Sequence, residues 1–502
     1  MVGLTDHGLT TAAGGPARRN RGVVFVHGVG GQRKSDTLLD LGDPVFDWLQ
    51  RWYAAFDLGR DVHVGRTELS FTPVDVGQAD VPPWTRFEFT DAKNDAWHWS
   101  LAEVWWAESN RKPDLATMLN WSWKHLLDII AQLARSVLER VDRLLHPEGH
   151  PTQPARWVQA IDLANCVGLL ILYPLLAVVG YALLVPLMVI AQIPIPALQN
   201  WILLQLVQPL LVINAGEFRM YLEDEVQAAN VRRRAADAVD WLVEQEQCTD
   251  IIIVAHSEGC VVSFGMLTDP EFRATTASVR KFITLGAGLN KSWLIKPRLK
   301  RLHGPLAGDI LWLDFWASYD PVPAGKLDPP RGVQIYAPTG EAAKQLGDST
   351  TPISLQVTND MNVLTDHGGY WHNDEQVVSR LVAEIDCEDH TESIYWAGDW
   401  NAAARARRER VSIIALVRGL AVIGALTTIG VDFAMGVQPP LADLVAQLLN
   451  VPPLVAAAAI PAALWWAAYS LIRFALWEPW DRRQKTEILS AAGQTARRAT
   501  AQ

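Results

Sequence analysis

Between Trp157 and Phe218 the chain carries neither lysine nor arginine, and Leu163 to Ile190 (LANCVGLLILYPLLAVVGYALLVPLMVI) is apolar over a length that crosses a bilayer as a helix. A fold for this chain must place that segment in lipid or bury it on every side. A second apolar stretch, Ala197 to Ile213, is interrupted by Gln199, Asn200, Gln205 and Gln208, and Pro194 and Pro196 before it supply a turn. Residues 160–214 are therefore expected to form a transmembrane hairpin, with an interfacial or buried helix as the alternative for the second limb. The pattern returns at Val411 to Gly430 and Pro453 to Trp477, around a loop with Pro439 and Pro440. Residues 411–477 make a second expected hairpin, giving about four membrane helices. A hydrophobic cap or a dimer interface is the competing use of such blocks.

The flanking charges orient the hairpins. Arg219 and Arg232 to Arg234 follow the first; Arg405, Arg407, Arg408 and Arg410 precede the second; Arg482, Arg483 and Lys485 follow it in a basic tail, 478–502. Neither tip carries a basic residue, so both hairpins are expected to enter and leave from the cytoplasmic side. Arg418 and Arg473 lie close enough to that side to snorkel. Residues 1–20 lack the apolar core of a secretory signal and read as a flexible leader.

The rest has the composition of a globular α/β domain in two parts, 21–155 and 215–400. Short β-branched and aromatic runs recur at VVFV (23–26), VHVGRTEL (62–69), IIIVAH (251–256), KFITLG (281–286), ILWLDFW (310–316), VQIY (333–336) and ISLQV (353–357), as buried parallel strands do. Helical periodicity separates them, as in Phe218 to Gln245, so the fold class is α/β with a doubly wound, mostly parallel sheet. Leu126 to Leu145 is amphipathic, fit for the membrane surface or for packing on the core. With 44 basic against 55 acidic residues the net charge is -11, which argues against nucleic acid as a partner. The four cysteines show no CxxC spacing, so neither a zinc ribbon nor a disulfide framework is indicated.

Chemistry concentrates in IIIVAHSEGCVVSF. A strand runs into Ala255, His256, Ser257, Glu258 and Gly259, and an apolar helix follows: G-x-S-x-G with alanine in the first glycine position. Small residues are needed because so tight a turn brings the flanking positions against neighbouring strand and helix. The turn lifts the Ser257 hydroxyl to a helix start, where the N–H of Glu258 can face a developing oxyanion. Upstream, VVFVHGVGGQRKS places His27, Gly28, Gly30 and Gly31 at a strand end. Arg33 stands where a phosphate-binding loop or a dinucleotide fingerprint starting at Gly28 needs glycine, so both are dismissed and no cofactor is expected. A His-Gly oxyanion loop remains, its second donor Val29 or a neighbouring glycine.

A serine nucleophile needs a base, and the base an acid that fixes its tautomer. Asp320 falls just past the strand ILWLDFW, whereas Asp314 lies mid-strand and is the poorer candidate. NVLTDHGGYWHN offers His367 and His372; the Gly368–Gly369 pair lets the loop bring His367 inward, so His367 is preferred. His256 is too constrained beside the nucleophile to be the base and supports the turn. A metal site from Asp366, His367 and His372 lacks a second ligand cluster, and none is expected.

The order oxyanion loop, Ser257, Asp320, His367, at intervals of 63 and 47 residues, resembles the serine lipase and esterase branch of the α/β-hydrolase superfamily over residues 21–385, with the first hairpin as an insertion. The resemblance implies that Ser257 attacks an ester carbonyl, His367 relays its proton, Asp320 orients the imidazole, Gly28, Val29 and Glu258 frame the oxyanion hole, and water releases the acyl group. Trp84, Trp97, Trp99, Trp105, Trp106, Trp121 and Trp123 crowd one segment and suit a membrane-interface belt, a greasy acyl pocket or an ordinary core. With the hairpins, the expected substrate is a lipid or other hydrophobic acyl ester met at the bilayer. An acyltransferase or thioesterase using the same serine is one alternative; a non-enzymatic membrane scaffold is the other.

Overall fold

The computed structural model describes residues 20–30, 32–56, 61–69, 81–90, 96–106, 115–146, 155–191, 217–295, 304–346, 349–386, 400–435, 442–449 and 451–500. The apolar stretch 197–213, Gly31 and the leader 1–19 lie outside them. Ten strands occur among these residues: β1 (Arg21–Val26), β2 (Asp61–Glu68), β3 (Trp84–Thr90), β4 (Ala96–Val104), β5 (Asp250–His256), β6 (Val279–Leu285), β7 (Leu306–Gly308), β8 (Leu311–Ala317), β9 (Tyr336–Pro338) and β10 (Ile353–Val357). The helices, in chain order, are α1 (Asp36–Phe56), α2 (Leu115–Leu145), α3 (Arg156–Ala191), α4 (Glu217–Glu223), α5 (Glu225–Glu244), α6 (Gly259–Thr268), α7 (Leu289–Ile295), α8 (Gly340–Leu346), α9 (Ser379–Asp386), α10 (Trp400–Met435), α11 (Ala442–Leu449) and α12 (Pro453–Thr500).

Eight strands form one sheet in the order β10-β8-β6-β5-β1-β4-β3-β2. The run β10, β8, β6, β5, β1, β4 is parallel throughout. Both faces are covered, which is why these strands read as continuous apolar runs. Side chains alternate between the two cores: Val24, Val26, Ile251 and Ile253 face α5 and α6, while Val23, Phe25, Ile252 and Val254 face α1 and α9. The chain leaves β1 toward the β4 side and leaves β5 toward β6. The topological switch point therefore lies between β1 and β5, where doubly wound sheets open a crevice at their carboxyl ends.

Two expectations about this sheet are corrected. The segment 62–69 is not a parallel strand of the interior; β2 lies at the edge and pairs antiparallel with β3, which itself pairs antiparallel with β4. VQIY contributes only its last residue to a strand, β9, in a two-stranded side sheet with β7. The tryptophan-rich segment supplies β3 and β4, and Trp84, Trp97, Trp99, Trp106 and Trp121 are buried. Trp97 stacks on Phe89 at 5.2 Å. These rings fill the core; of the segment's tryptophans only Trp123 is exposed.

Three helices are long and apolar enough to cross a membrane: Arg156–Ile190 in α3, Ala404–Met435 in α10 and Pro453–Trp477 in α12. Ile171, Val178, Val189, Leu426, Phe433, Leu464 and Leu471 on them are between 63% and 76% exposed, more apolar surface than a water-soluble face tolerates. α10 packs on α12 through Ile414, Ala421 and Tyr469, and Gly424 is required because a Cβ there would meet the Trp465 ring at 2.6 Å. α3 is partnered by α2, which runs back along it with Trp123 against Tyr181 and Arg140 against Asp162. The amphipathic face of α2 is thus spent on α3, through Val137, Cys166 and Tyr173, and not on the sheet. The segment after Trp477, read as a basic tail, continues α12 as helix.

Candidate active site

Four loops at the carboxyl ends of β1, β5, β8 and β10 converge. After β5 the chain turns so sharply that Ser257 adopts φ +58, a left-handed conformation that costs a non-glycine residue about 1–2 kcal/mol. The turn is held by Ser257 N–H donating to Leu285 O at 3.0 Å and by Gly288 N–H donating to Ser257 O at 3.0 Å. Glycine is required at 259, where a Cβ would stand 2.3 Å from the carbonyl oxygen of Val26. It is equally required at 28, where a Cβ would meet Ser257 Cβ at 2.4 Å and Oγ at 2.9 Å. Ala255, in the position where the motif has its first glycine, is fully buried.

Asp320 lies three residues beyond β8, and His367 in the loop after β10. The structure brings both to Ser257: His367 Nε2 is 2.8 Å from Ser257 Oγ, and His367 Nδ1 is 2.9 Å from Asp320 Oδ2. With Nδ1–H donated to the carboxylate, Nε2 is left as an acceptor for the serine proton. Asp320 Oδ1 accepts from Val322 N–H at 2.8 Å, and its buried Oδ2 accepts also from Tyr370 Oη–H at 2.8 Å. Gly286, at φ +59, lines this pair; a Cβ there would be 2.7 Å from Asp320 Oδ2. Asp314 stays mid-strand, buried, accepting from Thr284 Oγ1 at 2.7 Å.

Neither the N–H of Val29 nor that of Glu258 has an acceptor among the described residues. Gly30 is taken: its N–H donates to Glu217 Oε2 at 3.0 Å. His27 fixes the loop from below. Its Nδ1–H donates to Gly28 O at 2.6 Å, its Nε2 accepts from Trp106 N–H at 3.2 Å, and its ring stacks on Trp106 at 5.0 Å. Burial holds the His27 pKa down at about 4, so the ring is neutral at physiological pH. His256 is also neutral, its pKa lowered to about 3 by burial and by the neighbouring His367. Its Nε2–H donates to His367 O at 2.9 Å and its ring stacks on that imidazole, so its contacts are with the base loop.

Tyr370 was not singled out from the sequence, and Asp366 and the Glu258 side chain hold places other than those weighed there. Tyr370, inside the NVLTDHGGYWHN stretch, is buried and bonds both Asp320 and, as acceptor, Ala317 N–H at 2.9 Å. Asp366 is buried, and its carboxylate gathers the N–H groups of Tyr319 (3.1 Å), Asp360 (2.7 Å) and Asn362 (3.3 Å). Burial raises its pKa to about 7. The Glu258 side chain is buried with neither oxygen hydrogen-bonded among the described residues; burial first, and Glu217 second, raise its pKa well above the usual carboxylate range. No local pattern marks it, because its apolar surroundings are tertiary. Asp366, His367 and His372 do not converge on a metal position, and no group of three metal-ligating side chains does so among the described residues.

A cavity of about 600 Å³ opens beside the site, lined by Asp47, Arg51, Trp371, His372, Asp374 and Trp477. Trp371 packs edge-on against His256, with ring centroids 4.9 Å apart, so one aromatic ring and one imidazole separate this cavity from His367. Trp477 ends the last apolar span. No protein-family model matches the chain, and no curated protein matches it.

Proposed function

We propose that this protein is a membrane-anchored serine hydrolase of α/β-hydrolase type that cleaves lipid acyl esters through an acyl-enzyme on Ser257. The observation that carries the reading is the unbroken relay from Ser257 Oγ through His367 to Asp320, at 2.8 and 2.9 Å, with the serine on a left-handed turn at a helix start. In this reading His367 Nε2 takes the hydroxyl proton as Oγ bonds the ester carbonyl carbon. The tetrahedral oxyanion is met by the N–H groups of Glu258 and Val29, and His367 returns the proton to the leaving alcohol as the C–O bond breaks. Water, deprotonated by the same imidazole, then releases the carboxylic acid and restores Ser257.

Lipid is favoured over a soluble ester because of where the relay sits. The loop bearing His367 is bound by side chains from the root of α10, and the neighbouring cavity carries Trp477, the last residue of a span. In this reading residues 197–213 supply a fourth span, and the basic flanks place the α/β domain on the cytoplasmic side.

Purified protein is expected to label with a fluorophosphonate at Ser257, Ser257→Ala to remove the label, and the wild type to release fatty acid from mixed lipid micelles. Labelling with cleavage of only short soluble esters would overturn the lipid assignment; absence of labelling in folded protein would overturn the hydrolase reading.

A further inference from the structure

Asp162 is the acidic residue nearest the root of α3, six residues past its start, and it is fully buried. A carboxylate in an apolar helix is costly unless paired. Three groups from three different elements pair it. Arg140 Nη2 of α2 reaches Oδ1 at 2.7 Å, Arg408 of α10 reaches Oδ2, and the Tyr319 hydroxyl donates to Oδ1 at 2.7 Å. The Arg140 guanidinium also lies 3.9 Å from the centroid of the Tyr319 ring, so the phenol is held by its hydroxyl and by its face.

Tyr319 is the residue before Asp320. Its own N–H donates to Asp366 Oδ2, and Asp366 is the residue before His367. The acid and the base are thus each one peptide unit from a group tied to this cluster. A second set of contacts grips the base loop from the same helix: Arg407 donates to Thr358 O at 2.5 Å and to Asn359 O at 3.4 Å, and Arg418 donates to Asp360 O at 3.2 Å and to Met361 O at 2.5 Å. Arg418 and Arg473 also approach Asp360 at 3.8 and 3.9 Å.

We infer that Tyr319 and Asp162 are positioning residues for the Asp320–His367 pair, and that through them the seating of α3 and α10 in a bilayer sets the geometry of the site. The inference rests on the hydrolase reading of Ser257. Asp162 moves with α3, so a change in the depth or tilt of that helix pulls on the Tyr319 hydroxyl and hence on the peptide that carries Asp320. A shift of about 1 Å in a reacting group costs on the order of 10²-fold in rate.

The test is Tyr319→Phe, which keeps the ring over Arg140 and deletes only the hydroxyl. Full-length wild type and variant are compared in phosphatidylcholine nanodiscs and in dodecyl maltoside, with p-nitrophenyl butyrate as a soluble substrate that needs no lipid handling. In nanodiscs the variant is expected to lose about tenfold or more in kcat with KM held within about twofold, and its fluorophosphonate labelling to slow in parallel. Wild type is expected to be faster in nanodiscs than in detergent, and the variant to lose that difference. Arg408→Lys keeps the charge beside Asp162 while shortening its reach. It is expected to give a smaller loss of the same kind, and it serves as the measured variant should Tyr319→Phe fail to fold. Glu341→Gln, exposed on α8 away from the cluster, is the unchanged control. Variant rates within about twofold of wild type, or a wild type indifferent to the bilayer, overturn the inference while a labelled wild type leaves the hydrolase reading standing; an unlabelled wild type sinks both.

Discussion

Replacing Gly28 by alanine adds one methyl group at the tightest point of the site. The new Cβ would lie 2.4 Å from Ser257 Cβ and 2.9 Å from Ser257 Oγ, whereas carbon atoms in contact rest about 3.5–4.0 Å apart. One partner must therefore give by about 1 Å. If the serine moves away from the base, its 2.8 Å contact with His367 Nε2 opens toward about 3.8 Å, outside hydrogen-bond range. If the loop moves instead, the Val29 N–H leaves the oxyanion position. Either displacement costs about 10²-fold or more, some 2.7 kcal/mol of barrier. Overpacking adds about 1–3 kcal/mol of destabilisation, which a melting curve separates from the kinetic effect. The assay is the pseudo-first-order rate of fluorophosphonate labelling in bilayer-reconstituted protein, with the melting temperature read on the same sample. Folded Gly28→Ala that labels within about threefold of wild type would refute the close approach of this loop to Ser257.

Further outcomes follow from the same geometry. Ser257→Gly is expected to be more stable than Ser257→Ala by about 1 kcal/mol, because only glycine adopts φ +58 without strain; equal melting temperatures would contradict the turn. Tyr370→Phe removes a bond to Asp320 and leaves the buried Ala317 N–H without its acceptor, so a loss of about 1–3 kcal/mol in stability and a lowered kcat are expected, the latter checked against KM. His27 has a folded pKa of about 4 against about 6.5 unfolded. The unfolded chain therefore binds more protons below pH 6.5, and stability present above that value drains as pH falls, by on the order of 3 kcal/mol at pH 4 for this group. His256 acts in the same direction down to about pH 3. Denaturation midpoints between pH 7 and 4 should fall less steeply in His27→Phe, and an unchanged slope would reject the buried neutral imidazole.

The parallel half of the sheet was legible because β1, β5, β6 and β8 are buried on both faces and so read as unbroken apolar runs. The meeting of Ser257, Asp320 and His367 was legible for a related reason: each follows a parallel strand, β5, β8 or the edge strand β10, and parallel strands deliver their ends to one rim. β3 and β4 were not read, although Arg86 to Thr90 alternates half-buried and buried positions, because the tryptophans there drew the eye to lipid. Pairing of α2 with α3 leaves no trace in either sequence beyond a matching apolar stripe. The destinations of Arg407, Arg408 and Arg418 were hidden for a different reason. A basic residue at the root of an apolar helix satisfies the positive-inside pattern whether it meets a phosphate, a carboxylate or a backbone carbonyl, and only the tertiary fold decides among them.

β1 pairs with β5 in register from Arg21 opposite Asp250, and the whole of the first apolar block is strung between these two neighbours. A ribosome adding about 5–20 residues per second needs on the order of 10–50 seconds to make that interval. The centre of the sheet therefore waits as an open seam while α3 is made. The strand that raises Ser257 is synthesised only after that apolar helix, so the turn at the centre of the site closes only once the helix has been made.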